Sequence, residues 1–317
     1  MSTTAPNSMT PEEKFDLITS GLQEILNPEI IKDVLAKRDL VIYWGTATTG
    51  RPHCGYFVPC LQIARFLRAG CEVTILLADI HGFLDNLKAP IELVQFRVEY
   101  YRHIITELLR VVVGDEGIKK LKFVQGKSYQ LSEAYTMDRF RLESVVTLHD
   151  AKKAGAEVVK QVENSTLGSL IYPVMQALDE QYLGVDAQFG GVDQRKIFAL
   201  AKEILPKIGY KERAHLMNPM VPGLAGGKMS ASDPDSKIDL LDPPEVVKKK
   251  LKKAYAVPKQ IEENGLLGFV EHALLPAGAL KHGKPQFVVE RREGEPLSYD
   301  NIEQIQADYK DDVVSLL

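Results

Sequence analysis

Short unbroken apolar runs alternate along the chain with longer stretches in which apolar positions recur every three or four residues. Runs of the first kind suit strands buried on both faces, and stretches of the second kind suit helices packed by one side. The first run is 39–45 (DLVIYWG), followed by 71–78 (CEVTILLA), 121–125 and 185–189. Between them, 53–68 carries Phe57, Leu61, Ala64, Phe66 and Leu67 at helical spacing, with Gly70 placed to end the helix. Residues 90–113 predict a long amphipathic helix, and a further helix starts near Gln194. This alternation predicts an α/β fold built on a Rossmann-like, doubly wound parallel sheet.

The flanks read differently. Thr10-Pro11-Glu12-Glu13 has the order of a helix start: a hydroxyl cap, proline in the first turn, then carboxylates near the positive end of the dipole. With a second helix over 27–37, this predicts an N-terminal helical arm, 1–38, ahead of a main domain, 39–237. Inside the main domain, about 126–164 turns to mostly polar helical sequence, including Asp150-Ala151-Lys152-Lys153, which predicts a helical insertion lying outside the sheet. After Lys237 no further buried parallel strand is visible. Residues 245–255 and 260–275 read as helices and 286–290 as a short strand, so a smaller, mainly helical C-terminal domain is expected over 238–317.

Composition narrows the classes of partner. At 317 residues and 45% hydrophobic content the chain can bury one large core and one smaller one. A formal net charge of −4 gives no global basic field, so any nucleic acid has to be held by local patches. Cys54, Cys60 and Cys71 lack the paired spacings of a zinc site and any disulfide pattern, which predicts reduced thiols, a cytosolic protein and no protein-ligated metal. The polar, acidic N-terminus and the absence of any run of eighteen apolar residues argue against secretion and membrane spanning.

Three segments carry candidate chemistry. The first apolar run empties into Gly45-Thr46-Ala47-Thr48-Thr49-Gly50-Arg51-Pro52-His53, small and hydroxylated residues ahead of a helix. Such a loop lets phosphate approach backbone amides, and equally suits a tight turn. In Gly226-Gly227-Lys228-Met229-Ser230-Ala231-Ser232 a lysine follows two glycines beside two hydroxyls, groups that can neutralise phosphate charge or simply form a solvated loop. Third, Tyr172, Gln176 and Asp179 are four and three residues apart and share one face of a helix. Ile171, Val174, Met175 and Leu178 interleave with them, so this helix is apolar nearly all round and buried, and its polar groups need partners that a bound ligand can supply.

His53-Cys54-Gly55-Tyr56 and, about 175 residues later, Lys228-Met229-Ser230-Ala231-Ser232 resemble the two signatures of class I aminoacyl-tRNA synthetases. The segments 172–179 and 190–196 (GGVDQRK) are similar to the tyrosyl-tRNA synthetases in particular, of the archaeal and eukaryotic cytosolic type, and the resemblance runs from about Phe15 onward. It implies activation of tyrosine with ATP and Mg2+ and its transfer to tRNA by a cytoplasmic homodimer, without a covalent enzyme intermediate. It implies Tyr43 and Asp179 around the substrate phenol, Gly45 in the same pocket, and Tyr172, Gln176 and Gln194 around the amino group. Gly191 and Asp193 match the ATP ribose positions, Gly55, Tyr56 and Met229 the rest of the nucleotide, and Thr49, His53, Lys228, Ser230 and Ser232 the phosphates. Lys152, Lys153 and Lys160 match the region that meets the tRNA acceptor stem. Residues 238–317 would be part of an anticodon-recognition domain that continues further in the family, so a truncated chain is expected.

Two positions depart from the usual signatures. Tyr56 stands where the first has its second histidine, and Ala231 where the second has its second lysine. A tryptophanyl-tRNA synthetase, a nucleotidylyltransferase and a catalytically silent relative are the alternatives. Tyr43 with Asp179 tells against the first, the long C-terminal part against the second, and Lys228 with His53 against the third. His81, His103, His149, His215, His272 and His282 read as structural, and Lys248, Lys249, Lys250, Lys252 and Lys253 as a solvated helix face.

Overall fold

A computed structural model describes residues 9–85, 91–158, 166–224, 226, 229, 237–291 and 294–311. Lys160, Lys228, Ser230 and Ser232 lie outside the described residues. The chain forms two compact units. One comprises Met1–Thr49, Gln62–His103 and Asp115–Asn218, the other Gly50–Leu61, Ile104–Gly114 and Pro219–Leu317.

The first unit is built on a six-stranded sheet of β1 (Glu24–Leu26), β2 (Val41–Ala47), β3 (Glu72–Ala78), β4 (Leu121–Gln125), β5 (Ala187–Gly191) and β6 (Ala214–Asn218), in the order β1-β6-β5-β2-β3-β4. Strands β2 to β6 run parallel, and the short β1 adds to the edge of β6 antiparallel. The expected parallel α/β sheet is present, with the antiparallel edge strand as an addition. Strand order reverses between β2 and β5, which makes the ends of these two strands the switch point where sheets of this kind bind ligands.

Strand register sets a polar row across the middle of this sheet. Thr74, Tyr43, Gln188 and His215 lie side by side on β3, β2, β5 and β6, and all four are buried. Strand β6 is not announced by an apolar run because His215 sits inside it. Its burial is made tolerable by Glu180, whose Oε1 lies 2.7 Å from His215 Nε2, and by the Phe198 ring stacked on the imidazole at 4.8 Å.

The helix Leu167–Tyr182 is capped by Thr166, whose hydroxyl accepts from the Ser169 amide, and it buries Tyr172, Val174, Met175, Leu178 and Asp179, as its all-round apolar pattern requires. It packs with Tyr135, Leu142, Ile197, Leu200 and Ile204. The polar stretch after β4 forms the helices Lys127–Gln130, Glu133–Glu143 and Leu148–Ala154. Tyr135 and Leu142 bury completely although the second of these is polar overall. The helix expected over 53–68 opens as a tight turn, Cys54–Tyr56, before Phe57–Arg68, and Gly70 at φ +90° ends it. The helix expected over 90–113 runs Ile91–Ile118 with a break at Gly114, φ +71°.

In the second unit, Asn264 caps the helix Gly265–Phe269 by accepting from the amides of Leu266 and Leu267, which explains why this helix starts later than the expected 260. It continues through one wide turn, Val270–Leu274, into Leu275–His282. The hairpin β7 (Phe287–Val289) and β8 (Leu297–Tyr299) and the helix Ile302–Lys310 share a core of Leu267, Val270, Leu275, Tyr299, Ile305 and Tyr309.

Candidate active site

Asp179 has no exposure to solvent, and its two carboxylate oxygens have different lives. Oδ1 accepts three hydrogen bonds, from the Tyr129 hydroxyl at 2.8 Å, the Gln130 amide at 2.8 Å and the Tyr135 hydroxyl at 3.0 Å. Among the described residues Oδ2 has no hydrogen-bond partner. Burial pushes the carboxyl up to about 7, against the pull of Gln130, Tyr129 and Tyr135 and with the help of the neighbouring Glu180 charge. Burial together with the Asp179 charge also raises the Tyr43 phenol well above its ordinary value, which places Tyr43 within electrostatic reach of the carboxylate. Tyr43 donates to the main-chain carbonyl of Gln176 at 3.3 Å and packs in a cluster with Tyr129. Gly45 lies two residues further along the same face of β2, where a side chain would meet the Tyr43 ring at 3.5 Å.

Along the same helix, the Gln176 amide donates to Gln194 Oε1 at 3.1 Å, so these two side chains are brought together as expected. Gly190 is required for this: a Cβ there would stand 3.0 Å from Gln194 Cγ and 3.0 Å from Phe198 Cζ. Gly191 ends β5, and Asp193 sits in the single turn that follows. Burial and then the charges of Asp85, Asp193 and Asp179 raise the Tyr172 phenol, so Tyr172, Asp193 and Asp179 share one electrostatic neighbourhood. Thr49 accepts from Arg97 through its carbonyl at 2.5 Å.

Several neighbours of Asp179 were not singled out from the sequence. Tyr129, Gln130 and Tyr135 come from the insertion, which therefore supplies every donor to Asp179 Oδ1 as well as lying outside the sheet. His81, read as structural, is 2% exposed, with its ring edge-on to Tyr172 at 4.6 Å and its Nε2 3.8 Å from Asp179 Oδ2. The one available signal was position: His81 follows directly on the C-terminal end of β3, beside the switch-point strands.

The second unit holds the other motif residues. His53 caps the Cys54–Tyr56 turn, its Nδ1 accepting from the Gly55 amide at 3.2 Å. That bond leaves the ring proton on Nε2. Burial, with a contribution from Lys237, lowers His53 to about 4, so the ring is neutral and an Nε2 donor. Tyr56 meets it edge-on at 5.6 Å. A Cβ at Gly55 would stand 2.9 Å from the His53 ring and 3.2 Å from Met229 Sδ, and Met229 also lies 3.9 Å from Cys54 Sγ. His53, Gly55 and Met229, far apart in sequence, are thus packed together. Lys152 and Lys153 are exposed on the last turn of Leu148–Ala154.

These features meet known proteins at one place. Residues 35–315 match the family described as class I tRNA synthetases (W and Y), and the chain belongs to that family of ligase enzymes. Within it the chain stands on the tyrosine side. It is 59% identical over 315 residues to the cytoplasmic tyrosine–tRNA ligase of Saccharomyces cerevisiae, covering 97% of this chain and 79% of that protein. It is 56% identical over 303 residues to the Danio rerio cytoplasmic tyrosine–tRNA ligase, covering 95% of this chain but only 56% of that one. The crystal structure of tyrosyl-tRNA synthetase from Archaeoglobus fulgidus complexed with L-tyrosine matches with a TM-score of 0.85 at 33% identity, over 96% of this chain and 92% of that one. The family expected from the two signatures and the fold class expected from the alternating pattern both hold. Among the described residues, no helix is long and apolar enough to cross a membrane.

Proposed function

We propose that the chain activates L-tyrosine with ATP to tyrosyl-adenylate and transfers the tyrosyl group to the 3′ end of its tRNA in the cytoplasm. One observation carries the amino-acid choice: a fully buried carboxylate with one oxygen saturated and the other unpartnered, next to Tyr43. A buried acceptor without a donor is costly, and a phenol O–H supplies the donor where a phenyl ring cannot.

Tyr172, Gln176 and Gln194 hold the substrate ammonium in this reading, and Gly45 leaves room beside Tyr43. The substrate carboxylate attacks the α-phosphorus of ATP, the bond to the bridging oxygen breaks, and pyrophosphate leaves. The ribose hydroxyl at the tRNA end then attacks the carbonyl and releases AMP. His53, neutral and donating through Nε2, offers a hydrogen bond to phosphate oxygen without transferring a proton. Thr49, Lys228, Ser230 and Ser232 are assigned to the phosphates, Gly191 and Asp193 to the ribose, and Gly55, Tyr56 and Met229 to the remainder of the nucleotide. Magnesium, when bound, neutralises charge on the ATP phosphates. It is assigned to the nucleotide.

Lys152, Lys153 and Lys160 are assigned to the acceptor stem, and the protein to a homodimer. The division into a helical arm (1–38), a catalytic domain (39–237, insertion about 126–164) and a C-terminal segment of the anticodon-recognition type (238–317) belongs to the same proposal. ATP–pyrophosphate exchange with each of the twenty amino acids is the test. Exchange with tyrosine far above all others is expected, and exchange driven by another amino acid, or by none, overturns the assignment.

A further inference from the structure

His81 and Asp179 approach each other in the buried interior of the first unit. Nε2 of His81 and Oδ2 of Asp179 are 3.8 Å apart, both residues are almost wholly buried, and among the described residues neither atom has a hydrogen-bond partner. The separation is too long for a direct bond, yet an oxygen can stand about 2.8 Å from each of them. Two unpartnered polar atoms in one buried place are expensive unless a ligand serves both. The Tyr43 hydroxyl, by contrast, already donates to the Gln176 carbonyl.

We infer that His81 is a specificity-determining residue: its Nε2–H donates to the phenolic oxygen of bound tyrosine while the phenol O–H donates to Asp179 Oδ2. The inference rests on the tyrosine-activating reading above and adds a second polar partner to it. A hydroxyl is at once donor and acceptor, so it satisfies both groups together. A phenyl ring satisfies neither, and the discrimination against phenylalanine is then shared between two residues. Burial lowers His81 to about 4, against the opposing pull of the Tyr172 main chain, so the ring is neutral and can donate without bringing a charge to the Asp179 carboxylate. The edge-on contact with Tyr172 fixes the plane of the imidazole.

The test compares His81→Phe and His81→Gln with the unmutated protein in ATP–pyrophosphate exchange on tyrosine and on phenylalanine. The expected result is a fall in the tyrosine-to-phenylalanine ratio of kcat/KM by about five- to tenfold in His81→Phe, carried by the KM for tyrosine, and its partial recovery in His81→Gln, whose amide can donate. Equal losses on both amino acids, or an unchanged ratio, overturn the inference. Should His81→Phe fail to fold, the unmutated protein with 15N-labelled histidines gives an independent readout. Saturating tyrosine is expected to shift one buried imidazole nitrogen that phenylalanine leaves in place, and an identical response to both overturns the inference. If the unmutated protein does not activate tyrosine at all, the parent reading has failed. If it does and the ratio stays unchanged, only the role of His81 has.

Discussion

Asp179 is buried at a cost to the fold. Its carboxyl, at about 7 in the folded chain against 3.8 in an ordinary peptide, binds more protons folded than unfolded between roughly pH 4 and 7. Stability therefore rises as pH falls through that window, and above pH 7 the buried charge weighs against the native state. Asp179→Asn keeps an oxygen for Tyr129, Gln130 and Tyr135 and removes the charge. Denaturant titrations at pH 8 should find this variant more stable than the parent, with the difference shrinking towards pH 4. The same substitution should lower kcat/KM for tyrosine activation by about ten- to hundredfold, the worth of a charged hydrogen bond of roughly 1.5 to 3 kcal/mol. By the same protonation, tyrosine affinity should weaken as pH falls below about 7, since a protonated Asp179 is a poorer acceptor. An affinity flat from pH 5.5 to 8.5 would contradict that carboxylate's part in binding. Tyr43 came only from the family resemblance, whereas Gln176 and Asp179 were legible as neighbours on one buried helix face because of their spacing. Tyr129, Gln130, Tyr135 and His81 were not, because their convergence depends on how two other segments pack, which no local spacing encodes.

At the scale of elements, the Leu167–Tyr182 helix was legible because its polar positions interrupt an otherwise apolar surface at helical intervals. Strand β6 was not. Ala214–Asn218 contains His215 and Asn218, and contacts from distant segments, Glu180 and Phe198, make His215 acceptable inside a sheet. Close approaches were equally invisible. Gly190, within β5, is pressed against Gln194 and Phe198, so Gly190→Ala should push Gln194 away from Gln176 and raise the KM for tyrosine several-fold, with an overpacking cost of about 1 to 3 kcal/mol. Steady-state exchange kinetics with thermal denaturation checks both. In the second unit, a Cβ at Gly265 would stand 2.5 Å from the Gly223 carbonyl oxygen, rigid main chain that cannot swing aside. Gly265→Ala should therefore unfold that region at lower denaturant than the parent, read by protease sensitivity of 219–311.

For the molecule as a whole, a net charge of −4 makes any contact with tRNA local. Exposed Lys152 and Lys153 are the described cations assigned to it. The double variant Lys152→Glu with Lys153→Glu should leave exchange without tRNA intact, reduce aminoacylation, and flatten the salt dependence of tRNA binding by about two in the slope of log affinity against log salt concentration. The amino-acid choice is the claim on which everything else depends, and one competition measures it: ATP–pyrophosphate exchange on tyrosine against phenylalanine, in the unmutated protein and in Asp179→Asn. A strong preference for tyrosine that narrows sharply on removing the single negative charge is the predicted result. A preference that survives the substitution undiminished would contradict the buried carboxylate as the reader of the phenol.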